Sequence, residues 1–259
     1  MDLGIAGRKA IVCGSSKGLG RACAQALLHE GVDVVLNGRD ASRLEVLAAD
    51  LTRQTGTKAI PVAADLNTAE GRDRLLAACP APDILVNNSG GPPFKDFRDL
   101  DRAAMEQGVA MNMLTPIELI QRVIDGMAER GFGRIVNITS ISVKMPVSGL
   151  DLSSGARAGL TAFLAGVARD YAARGVTINQ LLPGYFLTER LQEGFAAQAA
   201  KTGAGVADVA QSWTDQVPAQ RLGDPDEFGR TCAYLCGVHA SYITGQNVLM
   251  DGGLYRSAF

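Results

Sequence analysis

The sequence predicts a single α/β domain: a doubly wound parallel sheet with helices on both faces. Three observations carry that expectation. Short β-branched runs alternate with longer helical patterns along the chain, a glycine-rich turn joins the first strand to the first helix, and 259 residues suffice for one large domain but not for two with a linker.

The elements follow in order. K-A-I-V-C at 9–13 reads as a strand, and 18–30 as a helix with Ala22, Ala26 and Leu27 turned inward. Further strands are expected at 32–37 (V-D-V-V-L-N), 58–63, 83–87, 133–138 (G-R-I-V-N-I), 176–181 (V-T-I-N-Q-L) and 247–250. Helices are expected near 41–55, 68–78, 99–128, 153–173 and 225–237. This βαβ rhythm implies right-handed crossovers and a parallel sheet. The stretch off-rhythm is 186–220, polar and alanine-rich, between two strands. It reads either as a substrate lid at the carboxyl edge of the sheet or as a surface helical hairpin.

Composition excludes several classes. Hydrophobic residues make up 47 %, enough for a substantial core, and a net charge of −2 without a basic run argues against nucleic acid or an anionic membrane surface. The opening M-D-L-G-I-A-G-R-K-A lacks a signal-peptide core, and no segment approaches the ~18 apolar residues of a membrane span, so a cytoplasmic setting is expected. Cys13, Cys23, Cys79, Cys232 and Cys236 sit in apolar periodic segments and read as buried thiols, with no metal site expected. His29 and His239 are both poorly placed for a Ser-His-Asp or Cys-His mechanism.

C-G-S-S-K-G-L-G (13–20) follows the first strand and opens the first helix. Gly14 permits the tight turn, Gly18 lets backbone approach a pyrophosphate, and Gly20 lets helix and strand pack closely. Phosphates would then meet the N–H groups and positive dipole of the helix start, as in a Rossmann-type domain.

The G-x-x-x-G-x-G spacing, with N-N-S-G at 87–90, resembles the short-chain dehydrogenase/reductase family. The resemblance runs end to end. It takes in Asp65, Asn112, Ser140 after I-V-N-I-T, P-G-Y-F-L-T (183–188) and I-T-G-Q-N-V-L-M-D-G-G (243–253). The last segment and S-S-K-G-L-G-R-A look most like the 3-oxoacyl-carrier-protein reductase branch. The resemblance implies that Asp65 and Leu66 flank the adenine, that Asn87 and Gly90 line the ribose side, and that Thr188 meets the nicotinamide carboxamide. Ser16, Leu19, Ser89, Pro183 and Gly184, within the same motifs, join that cofactor site. Asp65 also reads as a cap for the helix at 68–78, and the glycines as turns.

Charge selects the nicotinamide cofactor. An NAD site wants a carboxylate at the end of the second strand. Here that strand ends L-N-G-R-D, with neutral Asn37 at the tip, Arg39 just beyond and Lys17 in the glycine loop beside the same space. Two cations suit a 2′-phosphate, so NADP(H) is preferred, with NAD(H) possible. Asp40 is expected to cap the helix at 41.

The family's catalytic set is an asparagine, a serine, and a tyrosine followed four residues later by lysine. Asn112 and Ser140 match, but the tyrosine position falls on Ser153 and the lysine position on Arg157. Arg157 keeps the charge for the nicotinamide ribose hydroxyls but cannot lose a proton, and Ser153 is a weaker, shorter acid than a phenol. The expected function is therefore an NADP(H)-dependent oxidoreductase acting on a carbonyl or secondary alcohol through an atypical proton relay. A water held by Ser140 and Ser153 is one proton source; Tyr185, Lys144 and Asp151 are others. The alternatives are a cofactor-binding protein without redox turnover, or a lyase or isomerase using the same pocket. No substrate can be named, though the lid's alanines lean toward a neutral or modestly polar small molecule. The resemblance implies a homotetramer through helices 99–128 and 153–173 and the last strand, with the terminal G-G-L-Y-R-S-A-F packed on a neighbour.

Overall fold

The β-branched runs pair into one seven-stranded parallel sheet in a computed structural model describing residues 1–91 and 94–257. The strands are β1 (Lys9–Val12), β2 (Asp33–Gly38), β3 (Ala59–Ala63), β4 (Ile84–Asn87), β5 (Gly133–Ile138), β6 (Val176–Pro183) and β7 (Asn247–Met250). Their order is β3-β2-β1-β4-β5-β6-β7. The chain steps outward from β1 to β3 and then returns to lay β4 on the other side of β1. The order therefore reverses between β1 and β4, and a crevice opens beyond their carboxyl ends.

Helices cover both faces, so the central strands are mostly apolar and every residue of β4 and β5 is buried, Asn87, Arg134 and Asn137 included. On one side α1 (Gly18–His29), α2 (Ala41–Thr55) and α9 (Pro225–Cys236) bury Leu27, Leu44 and Phe228. On the other, α3 (Ala69–Ala78), α5 (Thr115–Glu129) and α6 (Asp151–Ala172) bury Leu75, Ile120 and Leu160. Asp40 caps α2 by accepting from the Arg43 amide at 3.0 Å. All five cysteines are buried free thiols.

Two regions depart from the simple rhythm. The helix expected over 99–128 is two helices, α4 (Arg102–Val109) and α5, joined by a π-helical turn at Ala110–Leu114. Asp101 caps α4 by accepting from the Ala104 amide at 2.8 Å, which moves its start inward from 99. The stretch at 186–220 forms a helical hairpin, α7 (Glu189–Thr202) and α8 (Val206–Thr214), with a small core of Phe195, Ala199 and Val209. A parallel bridge between Phe186 and Gly223 closes its base, so the hairpin is an insertion anchored at both ends. Among the described residues no helix is long and apolar enough to cross a membrane, and no three His, Cys, Asp or Glu side chains are grouped to hold a metal. Ala258 and Phe259, the end of the terminal segment expected to meet a neighbour, lie outside the described residues.

Candidate active site

The glycine loop after β1 is held in one shape by its backbone and by two asparagines. Gly14 and Gly18 have φ of +55° and +58°, a region that side chains disfavour. A Cβ on Gly20 would run into the Gly14 carbonyl oxygen, so α1 starts this close to the turn only because residue 20 has none. Asn88 Nδ2 donates to that same carbonyl at 3.0 Å. Lys17, the residue preceding α1, is extended, and no side chain caps the first N–H groups of the helix. Those donors and the positive end of the dipole are suited to an anion.

Two residues expected to line the cofactor site have their side chains turned inward. Asn37 is buried, and its side chain braces the loop from beneath: Oδ1 accepts from the Gly14 amide at 3.3 Å, while Nδ2 donates to the carbonyls of Val62 and Ala64. The solvent-facing residue at the tip of β2 is Arg39, which has no ion pair among the described residues. Asn87 is buried too; its Nδ2 donates to Asn137 Oδ1 at 2.8 Å, tying β4 to β5. The side chains of Asn37 and Asn87 thus hold the frame of the crevice rather than reaching into it. Gly90, by contrast, has open space where a side chain would be. Asp65 makes a local turn with Asn67 (3.0 Å to its amide), and Thr68, not Asp65, caps α3. Half-buried Leu66 offers its carbonyl to Arg72 at 2.8 Å.

Three of the four catalytic candidates, Ser153, Arg157 and Asn112, form a connected chain. Arg157 Nε donates to Ser153 Oγ at 3.1 Å, one helical turn back on α6; Nη1 donates to the Ile138 carbonyl at 2.6 Å; Nη2 donates to the Ser89 carbonyl at 3.4 Å. Ser89 Oγ in turn donates to Asn112 Oδ1 at 3.2 Å. Asn112 is buried in the π-helical turn and donates back to the Gly108 carbonyl at 3.2 Å. Such turns recur where a helix presents a functional side chain. Gly108 also sets how closely α4 meets α6, since a Cβ there would lie 2.5 Å from the Leu152 side chain.

Ser140 lies two residues beyond Ile138, at the carboxyl end of β5, and its Oγ accepts from the Ser142 amide at 3.1 Å. On either side of it, Thr139 Oγ1 and Ser142 Oγ are buried without a hydrogen-bond partner among the described residues. Burial lowers the Arg157 pKa to about 10, with repulsion from Arg190 adding to it. The guanidinium remains charged at neutral pH although it is buried and repelled by another cation.

The opposite wall comes from the hairpin. Thr188 caps α7 by accepting from the Leu191 amide at 3.3 Å, and its methyl faces Gly18. Arg190 donates to the Gly91 carbonyl at 3.1 Å, bridging to the end of β4. Glu189 pairs with Lys17 at 3.4 Å and with Arg43 at 2.8 Å. Arg43 and Glu189 escaped the sequence reading because their meeting depends on tertiary structure; only Arg43's place in the first turn after β2 hinted at it.

The remaining proton-donor candidates make other contacts. Tyr185 packs against Trp213 with the rings tilted by 51° and their centroids 4.6 Å apart, and burial raises its phenol pKa. It lines a cavity of about 270 Å³ with Phe186, Val217, Leu249 and Met250. Lys144 sits over the Tyr255 ring at 5.5 Å, and Asp151 is exposed at the start of α6. Pro183 and Gly184 close β6 against β7, the Gly184 amide donating to the Met250 carbonyl at 2.8 Å.

A family model described as enoyl-(acyl carrier protein) reductase matches residues 14–255. The chain is 36 % identical to nodulation protein G of Azospirillum brasilense, covering 95 % of this chain and 97 % of that protein. It is 29 % identical to the 3-oxoacyl-[acyl-carrier-protein] reductase of Aquifex aeolicus, covering 98 % and 100 %. Among solved structures, L-sorbose reductase from Gluconobacter frateurii, complexed with NADPH and L-sorbose, superimposes with a TM-score of 0.94 at 27 % identity, covering 99 % and 100 %.

Proposed function

The chain belongs to the short-chain dehydrogenase/reductase family, and from that premise we propose that it is an NADP(H)-dependent oxidoreductase. Its substrate is a carbonyl compound or secondary alcohol, and Ser153 and Arg157 replace a tyrosine–lysine relay. The observation that carries this reading is the bonded chain from Ser153 through Arg157 and Ser89 to Asn112, beside the glycine loop. The NADPH and L-sorbose complex of the structural relative supports both the cofactor and the substrate class.

The residues fit the cofactor. Gly14, Gly18 and Gly20 leave room for a pyrophosphate at the uncapped start of α1, with Ser16 and Leu19 in the same loop. Lys17 and Arg39 supply positive charge for a 2′-phosphate, while Asp65, Leu66, Ser89 and Gly90 border the remaining length and Thr188 faces the loop from the hairpin. When bound, NADPH supplies the hydride.

The chain's own groups handle the oxygen. Arg157 donates to Ser153 Oγ and so polarises the hydroxyl, which keeps its own proton to donate. Ser140 is placed similarly, its oxygen accepting from the Ser142 amide. The pair of hydroxyls would stabilise negative charge growing on a substrate oxygen, and such donors are worth roughly 10²–10³ in rate each. Neither hydroxyl is acidic enough to release its proton as a phenol does, so the proton comes from water. Without the general acid the reaction runs slower by about 10²–10⁴ than with one.

The hairpin serves as the substrate lid in this reading. Exposed Leu114 and Phe163, on the helices expected to pair between subunits, support a homotetramer. Five buried free thiols suit a reducing, cytoplasmic setting. The test is fluorescence titration with NADPH and NADH, then NADPH oxidation against a panel of ketones. Tighter NADPH binding, and loss of the difference in Arg39→Asp, is expected. Equal affinities in the native protein would overturn the cofactor assignment.

A further inference from the structure

Three charged side chains meet at the mouth of the glycine loop. One carboxylate, that of Glu189, bridges two cations from different elements: Lys17 Nζ at 3.4 Å from Oε2 and Arg43 Nη2 at 2.8 Å from Oε1. Glu193, one turn further along α7, lies 3.6 Å from Lys17 on the same helix face. Lys17 belongs to the loop and Arg43 to the first turn of α2, so the cations flank the tip of β2, where a dinucleotide's 2′-position is recognised. Nothing bulky fills the floor between them, because residue 38 is glycine and a Cβ there would already be 3.1 Å from Ser16. The nearby acid Asp40 is occupied as the cap of α2. A carboxylate held between lysine and arginine satisfies the same donors that a phosphate would.

We propose that Arg43, together with Lys17, grips the 2′-phosphate of the dinucleotide, and that Glu189 is an internal competitor for the same two cations. This rests on the cofactor reading above and adds to it a specificity-determining arginine and a link to the lid. The phosphate and Glu189 exclude one another, so binding the phosphorylated cofactor loosens the first turn of α7. The other ties of that turn, Thr188 against Gly18 and Arg190 on the Gly91 carbonyl, stay in place. A cofactor without the 2′-phosphate has no group to displace Glu189 and leaves the latch closed.

Calorimetric titration of the whole protein with NADPH and with NADH, for native, Glu189→Gln and Arg43→Ala forms, tests this. Exposed ion pairs are individually weak, so Glu189→Gln should tighten NADPH binding by roughly threefold to tenfold and change NADH binding by less than about twofold. Arg43→Ala should weaken NADPH by roughly tenfold or more, the loss expected for one charge-assisted bond to phosphate, and spare NADH. Hydrogen exchange without added nucleotide should be faster across 187–193 in Glu189→Gln than in the native protein. Unchanged or weaker NADPH binding in Glu189→Gln, unchanged binding in Arg43→Ala, or unchanged exchange would each overturn the latch while leaving the cofactor reading intact. Native protein that binds neither nucleotide would overturn both.

Discussion

Replacing Arg157 by methionine separates what this residue does for the fold from what it does for the site. Holding a guanidinium here lowers its pKa to about 10, chiefly through burial, which corresponds to about 3 kcal/mol against the folded state. Methionine removes that penalty and keeps much of the aliphatic packing. It also removes the bonds to the Ile138 carbonyl (2.6 Å), Ser153 Oγ (3.1 Å) and the Ser89 carbonyl (3.4 Å). Bonds from a charged donor contribute roughly 1.5–3 kcal/mol each, and the long third one little, so about 3–6 kcal/mol is lost. The two sides largely cancel, leaving a net destabilisation of about 0–3 kcal/mol. For a chain of this size that lowers Tm by at most about 12 °C in calorimetry. NADPH-dependent turnover should fall by about 10²-fold or more, because Ser153 loses the donor that polarises it. The sign of the pH effect is fixed as well. A cation with a depressed folded pKa carries its full penalty below about pH 10 and sheds it only as pH rises above that, so native Arg157 adds no pH dependence near neutrality. A drop in Tm beyond about 15 °C, or unchanged turnover, would refute this balance.

Three further outcomes follow from the packing. Gly108→Ala should displace Leu152, whose side-chain atoms lie 2.5–2.7 Å from the added Cβ. About 1–3 kcal/mol of overpacking, read as a Tm loss of about 2–12 °C, should come with a larger loss of turnover because Ser153 is the next residue. The buried thiols should resist a thiol reagent at pH 8 and all five should react in denaturant; a fast-reacting native thiol would contradict their burial. Burial raises the Cys13 pKa from 9.0 to about 12, so its folded form keeps the proton while the unfolded chain loses it. Stability should therefore fall by up to about 4 kcal/mol between pH 9 and 12 from this group alone, measured by denaturant unfolding.

Most of the frame was legible because it follows from local pattern. The β-branched runs, the glycine turn and Asp40 as the α2 cap are all readable within a few residues, and the structure keeps them. Asn112, Ser140, Ser153 and Arg157 were found by register, and hydrogen bonds join Asn112 to the Ser153–Arg157 pair through Ser89. The failures are tertiary. Apolar periodicity runs through 99–128 without a break, so nothing in it announces the π-helical turn that seats Asn112. Asn37 stands at the strand tip in sequence, yet its side chain turns inward because the Gly14 amide and two β3-side carbonyls need partners there. Glu189 lies 146 residues from Arg43, and only the folded hairpin brings them together.

The account stands most directly on single-turnover NADPH oxidation with a ketone panel, comparing native protein with the Ser153→Tyr/Arg157→Lys double variant and with Ser140→Ala. Slow but definite NADPH-dependent reduction is expected from the native protein, lower in Ser140→Ala. The double variant, with a phenol restored beside lysine, should be faster by about 10²–10⁴. Robust native activity that the double change abolishes would contradict the account, because Ser153 and Arg157 would then serve a different chemistry.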